Sequence, residues 1–205
     1  MYQFTKDRRG LHPQSHLADD RGFIHTDSYT GFNPLLEKPE IIEVACIAHN
    51  RRTFVDLVKS PGFSTAEEAV RQIAELHRIE QEIRGKPPDE RWVLRQTQAK
   101  LKFYAFATWL RHQQQQVSAK SALGKAIRYG LTSLTKLKVY LEHGHLELDN
   151  NAAERSMRCI SVELPVRWLR GRRQGRGYFL YTDRNRKIQW RRSSGLAHRN
   201  TCPHR

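Results

Sequence analysis

The chain has 205 residues, 38% of them hydrophobic, with eight Phe and four Trp, enough for one substantial core or one core carrying an inserted subdomain. No apolar run approaches the roughly 18–20 residues of a membrane span, and the opening nine residues show no signal-peptide pattern, so a cytoplasmic location without membrane contact is expected. The net charge of +15 is uneven: residues 163–205 hold twelve Lys or Arg against two acids, which leaves the first 162 residues only +5.

In chain order, residues 1–60 read as alternating strands and helices. Gly22 to Asp27 is a short strand that follows turn-prone Asp19-Asp20 and ends at an acid. Ile41 to Ile47 is a near-continuous apolar run, the pattern of a buried strand. The segment from Ala48 to Lys59 reads as a helix with Phe54, Leu57 and Val58 on one face and Arg51-Arg52 near its start, closed by Ser60-Pro61-Gly62.

From about Thr65 to Leu141 the period becomes that of long helices. Val70, Ile73, Leu76, Ile79 and Ile83 form one apolar stripe. Gly85, Pro87 and Pro88 interrupt it, and Asp89-Glu90 suit the start of a second helix carrying Leu94, Leu101, Phe103, Phe106, Trp109 and Leu110. After the polar run Gln113 to Gln116 comes a third helix with Leu123, Ile127, Leu131, Leu134, Leu137 and Leu141 facing inward. Core packing accounts for all three stripes. Beyond Val162 the sequence loses its period and reads as a disordered basic tail. The expected organisation is therefore a core segment 1–60, a helical insertion 61–145, a return to the core at 146–162, and the tail 163–205.

Three cysteines, Cys46, Cys159 and Cys202, are odd in number and far apart, which fits a reduced compartment without a disulfide framework. Cys46 and His49 with His143 and His145 make two loose pairs at unrelated spacing, which does not amount to a zinc pattern.

Two segments carry chemistry. Asp27 ends a strand, and Glu154, within Leu148-Asp149-Asn150-Asn151-Ala152-Ala153-Glu154-Arg155-Ser156-Met157-Arg158, falls on the first turn of a helix. Acids so placed can aim at one pair of divalent ions, for which carboxylates are the preferred hard donors. Each also has a plainer reading: Asp27 as a turn cap, and Asn151 to Glu154 as a capping box with Asn151 at the N-cap and Glu154 at N3.

Gly22-Phe23-Ile24-His25-Thr26-Asp27-Ser28-Tyr29 with Gly31-Phe32, the segment Ile47 to Phe54, Ala122-Leu123-Gly124-Lys125-Ala126, and Asp149 to Arg158 together resemble the transposases of the insertion-sequence-66 family over residues 2–162. The chain departs from that family's pattern at Ile47, where a Trp is usual, and at Ala122, where Pro is usual. The resemblance implies a partial ribonuclease-H-like α/β core with an all-helical insertion, and a function in DNA transposition: cleavage and transfer of DNA strands by an Asp, Asp, Glu triad with Mg²⁺ or Mn²⁺. By carry-over Asp27 is the second acid and Glu154 the third. Asn150, Asn151, Arg155 and Arg158 support the acid or contact DNA phosphate, with His49, Arg51 and Arg52 as further DNA contacts. The implied partners are element ends, target DNA, and a full-length transposase or a second copy. The alternative is a non-catalytic nucleic-acid-binding or regulatory fragment acting on the full-length enzyme.

Two parts of the family pattern are missing. The first Asp lies well upstream of the second in the family, whereas only 26 residues precede Asp27 here, and Asp7, Asp19 and Asp20 match the stretch just before it. With two of three carboxylates, residual activity at most is expected. At the other end, back-translating Gly177 to Ser194 one nucleotide later can encode an amphipathic helix like that of the family. Glu163 to Leu169 can likewise encode the missing strand. A frameshift near Val162 is the inference, and little regular structure is expected in residues 163–205.

Overall fold

The computed structural model describes residues 2–5, 7, 9–60, 62–155, 178–182 and 188–192. Among the described residues helix predominates, with two small sheets. The chain divides into two compact units, residues 1–42 with 150–205 and residues 43–149.

The first unit contains strand β1 (Tyr2–Thr5), helix α1 (Leu11–His16), strand β2 (Gly22–Thr26), a 3₁₀ turn (Thr30–Phe32) and helix α2 (Asn33–Leu36). Strand β3 (Ile41–Ala45) pairs with β2 in a two-stranded parallel sheet, and the boundary between the units falls within it. Leu17, Ile24, Phe32, Leu35 and Ile41 form a core, with Tyr29 and Leu36 packed against it. Full burial of side chains of this size stabilises by about 1.5–3 kcal/mol each. Ile42 is 43% exposed, so β3 is not buried along its whole length as its apolar run suggests; Val44, two residues on and on the same face, is buried, so the exposure is local to Ile42.

Two strands lie within residues 163–205, where little regular structure is expected. Strands β4 (Tyr178–Thr182) and β5 (Ile188–Arg192) pair antiparallel, Tyr178 with Arg192 and Thr182 with Ile188, and β1 pairs antiparallel with β4, Tyr2 with Tyr181. The physical reason is local. Tyr-Phe-Leu-Tyr-Thr is as strong a strand former as any five residues of the chain, and the charge of the flanking arginines hid it. The rest of 163–205 lies outside the described residues.

The second unit is helical. It holds α3 (Ile47–Val58), α4 (Ser64–Glu82), α5 (Pro88–Leu94), a π-helical turn (Arg95–Ala99), α6 (Lys100–Gln116), α7 (Ala122–Leu137) and α8 (Val139–Glu142). α3 packs on α4 and α7, and α6 packs on the same two helices. Phe54, Ile73, Leu76, Ile79, Phe103, Phe106, Leu110, Ile127, Leu134 and Leu137 are buried, largely the stripes read from periodicity. Leu101 is a correction: it is 73% exposed. At 100° per residue it lies about 200° around the helix from both Ala99 and Phe103, which are buried, so it must face the other way. Val58, the last residue of α3, is likewise exposed rather than inward.

Across this unit runs a buried ionic clasp. The Arg95 guanidinium, fully buried, donates from Nε to Glu80 Oε1 (2.8 Å) and from Nη2 to Glu80 Oε2 (2.6 Å). It also donates to the carbonyls of Tyr140 (3.0 Å), His143 (2.9 Å) and Leu146 (2.8 Å), and lies 5.0 Å from the centre of the Tyr140 ring. Arg91 adds bonds to the Leu146 carbonyl and to Glu147, both at 3.0 Å. The π-helical turn begins at Arg95, in keeping with the tendency of such turns to mark positions where one side chain must be specially aimed.

Candidate catalytic site

Asp27 stands immediately after β2, half-buried, where the strand enters a tight turn. The Tyr29 N–H donates to Asp27 Oδ1 at 3.2 Å, and the Ser28 N–H lies 3.4 Å from Thr26 Oγ1. Ser28 takes φ 65, a left-handed conformation rare for a side chain other than glycine. Such strain clusters at functional sites. Gly31 allows the turn to close: a Cβ there would come 2.2 Å from the Tyr29 ring. Tyr29 meets Phe32 edge to face at 5.6 Å, and Gln14 of α1 donates to the Gly31 carbonyl at 3.2 Å. The turn-capping role and the strand-end placement of Asp27 are therefore both present, on one side chain.

Glu154 lies in a helix, α9, whose described residues are 151–155, and is 7% exposed. Its N–H donates to the Asn150 carbonyl at 3.0 Å. Asn150 is thus the N-cap residue, and Glu154 sits at the fourth helical position. That is one residue beyond the N3 place that a capping box anchored on Asn151 requires. The helix therefore starts one residue earlier than the spacing suggests. Asn150 is fully buried, Asn151 is half-buried, and Arg155 is exposed. Arg158 lies outside the described residues.

Asp27, Asn150, Asn151, Glu154 and Arg155 belong to the first unit, although 126 residues separate the two acids in sequence. His49, Arg51 and Arg52 sit on α3 in the second unit, His49 half-buried and the two arginines exposed.

Periodicity alone missed what holds the approach to Asn150. The Leu146 carbonyl is gripped by Arg91 and Arg95, the Ile47 N–H donates to the Leu148 carbonyl at 3.2 Å, and His77 Nδ1 lies 3.8 Å from Asp149 Oδ2. Burial pushes the His77 imidazole below its usual range, with Asp149 pulling it back up. The available signal was Glu80 inside the stripe of α4 and Arg95 inside that of the next helix: charges on apolar faces demand each other. His143 and His145 meet edge to face at 5.5 Å, but no group of three His, Cys, Asp or Glu side chains able to hold a metal occurs among the described residues. The zinc arrangement with Cys46 and His49 is therefore not formed among them. Nor is any helix among them long and apolar enough to cross a membrane.

Comparison with known sequences gives this geometry its context. The chain is 34% identical over 167 residues to the uncharacterized protein y4jD of Sinorhizobium fredii (strain NBRC 101917 / NGR234), covering 78% of this chain and 33% of that protein. It is 33% identical over 178 residues to y4hP of the same organism, covering 79% and 32%. The chain thus spans about a third of the length of these relatives. No solved structure matches. Residues 1–167 match the family described as "Transposase IS66 family". The match takes in Asp27, the whole helical unit and Glu154, and on it the chain belongs to the IS66 family of transposases.

Proposed function

We propose that Asp27 and Glu154 are the second and third carboxylates of a strand-transfer site on a ribonuclease-H-like core, which cuts DNA at the ends of a mobile element and joins the freed 3′ hydroxyl to target DNA. The observation that carries this reading is their common unit: the chain leaves after Ile42, builds a mostly helical unit of 107 residues, and returns at Asn150. An acid at a strand end and an acid on a helix are thereby kept in one compact body.

The donors fit Mg²⁺ or Mn²⁺ in kind, since both are carboxylates, but not in number among the described residues. Bound between such acids, a pair of ions would activate the attacking hydroxyl and stabilise the leaving oxyanion. Asp27 and Glu154 would be the ligands. The chain's own part is orientation: the Tyr29 N–H fixes one oxygen of Asp27, and Asn150 starts the helix that carries Glu154. The burial of Asn150 favours this supporting role over contact with DNA. Asn151, Arg155 and Arg158 are assigned to phosphate or to support of the acid. His49, Arg51 and Arg52 are assigned to the DNA, and a second copy or full-length transposase is the protein partner.

The family match ends at residue 167, which supports a change of reading frame near Val162, while β4 and β5 weigh against a wholly unstructured tail. The test is a strand-transfer assay with Mg²⁺ and DNA carrying element ends. In a protein of the relatives' full length, Asn for Asp27 and Gln for Glu154 at the matching positions should each abolish joining while leaving DNA binding. Efficient joining by either variant contradicts the assignment.

A further inference from the structure

Between Glu90 and Glu142 the chain has no acidic residue and ten Lys or Arg. Five of the ten have acidic partners: Arg91 and Arg95 in the clasp, Lys100 with Glu142, Lys102 with Glu75, and Lys136 with Glu43. The other five, Arg111, Lys120, Lys125, Arg128 and Lys138, are exposed and have no acidic partner among the described residues. We propose that these five, at the end of the α6–α7 hairpin and along the outer face of α7, form a phosphate-binding surface for duplex DNA. The choice of DNA rests on the transposase reading; the surface itself rests on charge and geometry.

α7 buries Gly124, Ala126, Ile127, Gly130, Ser133, Leu134 and Leu137, so its solvent face is Lys125, Arg128, Thr132 and Thr135, followed by Lys138. These recur at three- and four-residue steps, a stripe about 20 Å long at 1.5 Å per residue. It is made only of cations and hydroxyls, the groups that bind phosphate oxygens without reading sequence. At 3.4 Å per base pair, the stripe spans roughly six base pairs of duplex.

The hairpin end is built rather than loose. Ser121 caps α7 through the Gly124 N–H (2.9 Å) and donates to the Ser118 carbonyl (2.6 Å), while Arg128 donates to the Ala119 carbonyl (3.0 Å). Gly124 makes this fit possible, because a Cβ there would stand 2.2 Å from the Ser118 oxygen. This gives a physical use to the Leu123-Gly124-Lys125 segment, for which the two acids provide none. An anionic lipid surface suits the patch less well: an interfacial helix presents an apolar face beside its cations, and the apolar face of α7 is spent within the unit.

The test measures binding of the full chain to a labelled duplex of arbitrary sequence, in EDTA, across a range of salt. Removing divalent ions separates this surface from the carboxylates, and Asp27→Asn with Glu154→Gln should bind like the parent. Arg111→Gln, Lys120→Gln, Lys125→Gln and Arg128→Gln together should weaken binding about tenfold or more at low salt. They should also make the slope of log K against log salt shallower by about three. A control removing equal charge elsewhere (Lys59, Arg71, Arg78 and Lys86 to Gln) should leave the slope nearly unchanged, and Arg111→Lys with Arg128→Lys should retain binding. Three results would overturn the proposal: a parent that does not bind the duplex, a control that loses as much as the patch variant, or a preference of the patch for phosphatidylserine vesicles over DNA. None of these bears on whether Asp27 and Glu154 support strand transfer.

Discussion

Arg95 shows most sharply how a single residue holds this molecule together. A guanidinium with no solvent exposure is tolerable because Glu80 takes it in two parallel bonds and three carbonyls take the remaining donors. Removing one partner leaves the other charged and buried. Arg95→Met should therefore cost about 3–5 kcal/mol of unfolding free energy, while Arg95→Met with Glu80→Leu should recover much of it. Chemical denaturation of the three proteins checks this; a double variant as unstable as the single would show that the carbonyl contacts, not the charge pair, dominate. His77 gives a second prediction at this scale. Burial lowers its folded pKa below the ordinary 6.5, so as pH falls through 6.5 the unfolded chain takes up a proton before the folded one does. Stability contributed by neutral His77 is then complete above that pH and declines below it. A His77→Gln variant should lose less thermal stability than the parent between about pH 7 and pH 5.5, followed by circular dichroism. An identical fall in both would remove His77 from the account.

Among the elements, the helices were the easiest to read and their faces less so. The stripe from Ile73 to Ile83 fixes α4 because burial every three or four residues leaves no other period. Leu101 misleads because an apolar side chain counts toward a stripe whether or not its angle suits, and the angle puts it outside. The turn after β2 was legible from Asp27, read as a turn cap, but the φ of Ser28 was not: no composition rule asks for a left-handed serine. Nor could spacing choose between Asn150 and Asn151 as the first residue of the cap, since both residue types suit the position. Gly31 offers a test of the turn. Gly31→Ala would drive a methyl into the Tyr29 ring and should cost roughly 1–3 kcal/mol through forced repacking, measured by thermal unfolding. A neutral outcome would mean that the turn is looser than its geometry implies.

Taken whole, the chain divides into two compact units. One unit holds both acids; the other, inserted between them in sequence, is a helical body secured by one buried ionic clasp and gripping the chain up to Asp149. Sequence alone gave the order of these parts through the motifs around Asp27 and Glu154. The clasp left a partial signal, Glu80 and Arg95 each on an apolar face, but that these two pair, and which cations of α7 stay without an acid, needed tertiary information, because partners 15 to 51 residues apart leave no local pattern. The central claim is that the two acids serve one ion site, and iron-mediated cleavage tests it most directly. With Fe²⁺ in place of Mg²⁺, ascorbate and peroxide generate radicals that cut the backbone beside the bound ion. The account predicts two cuts in the 205-residue chain, one near Asp27 and one near Glu154, both suppressed by excess Mg²⁺ and both lost in Asp27→Asn or Glu154→Gln. Cleavage near only one of the acids, or a pattern indifferent to those substitutions, would contradict it.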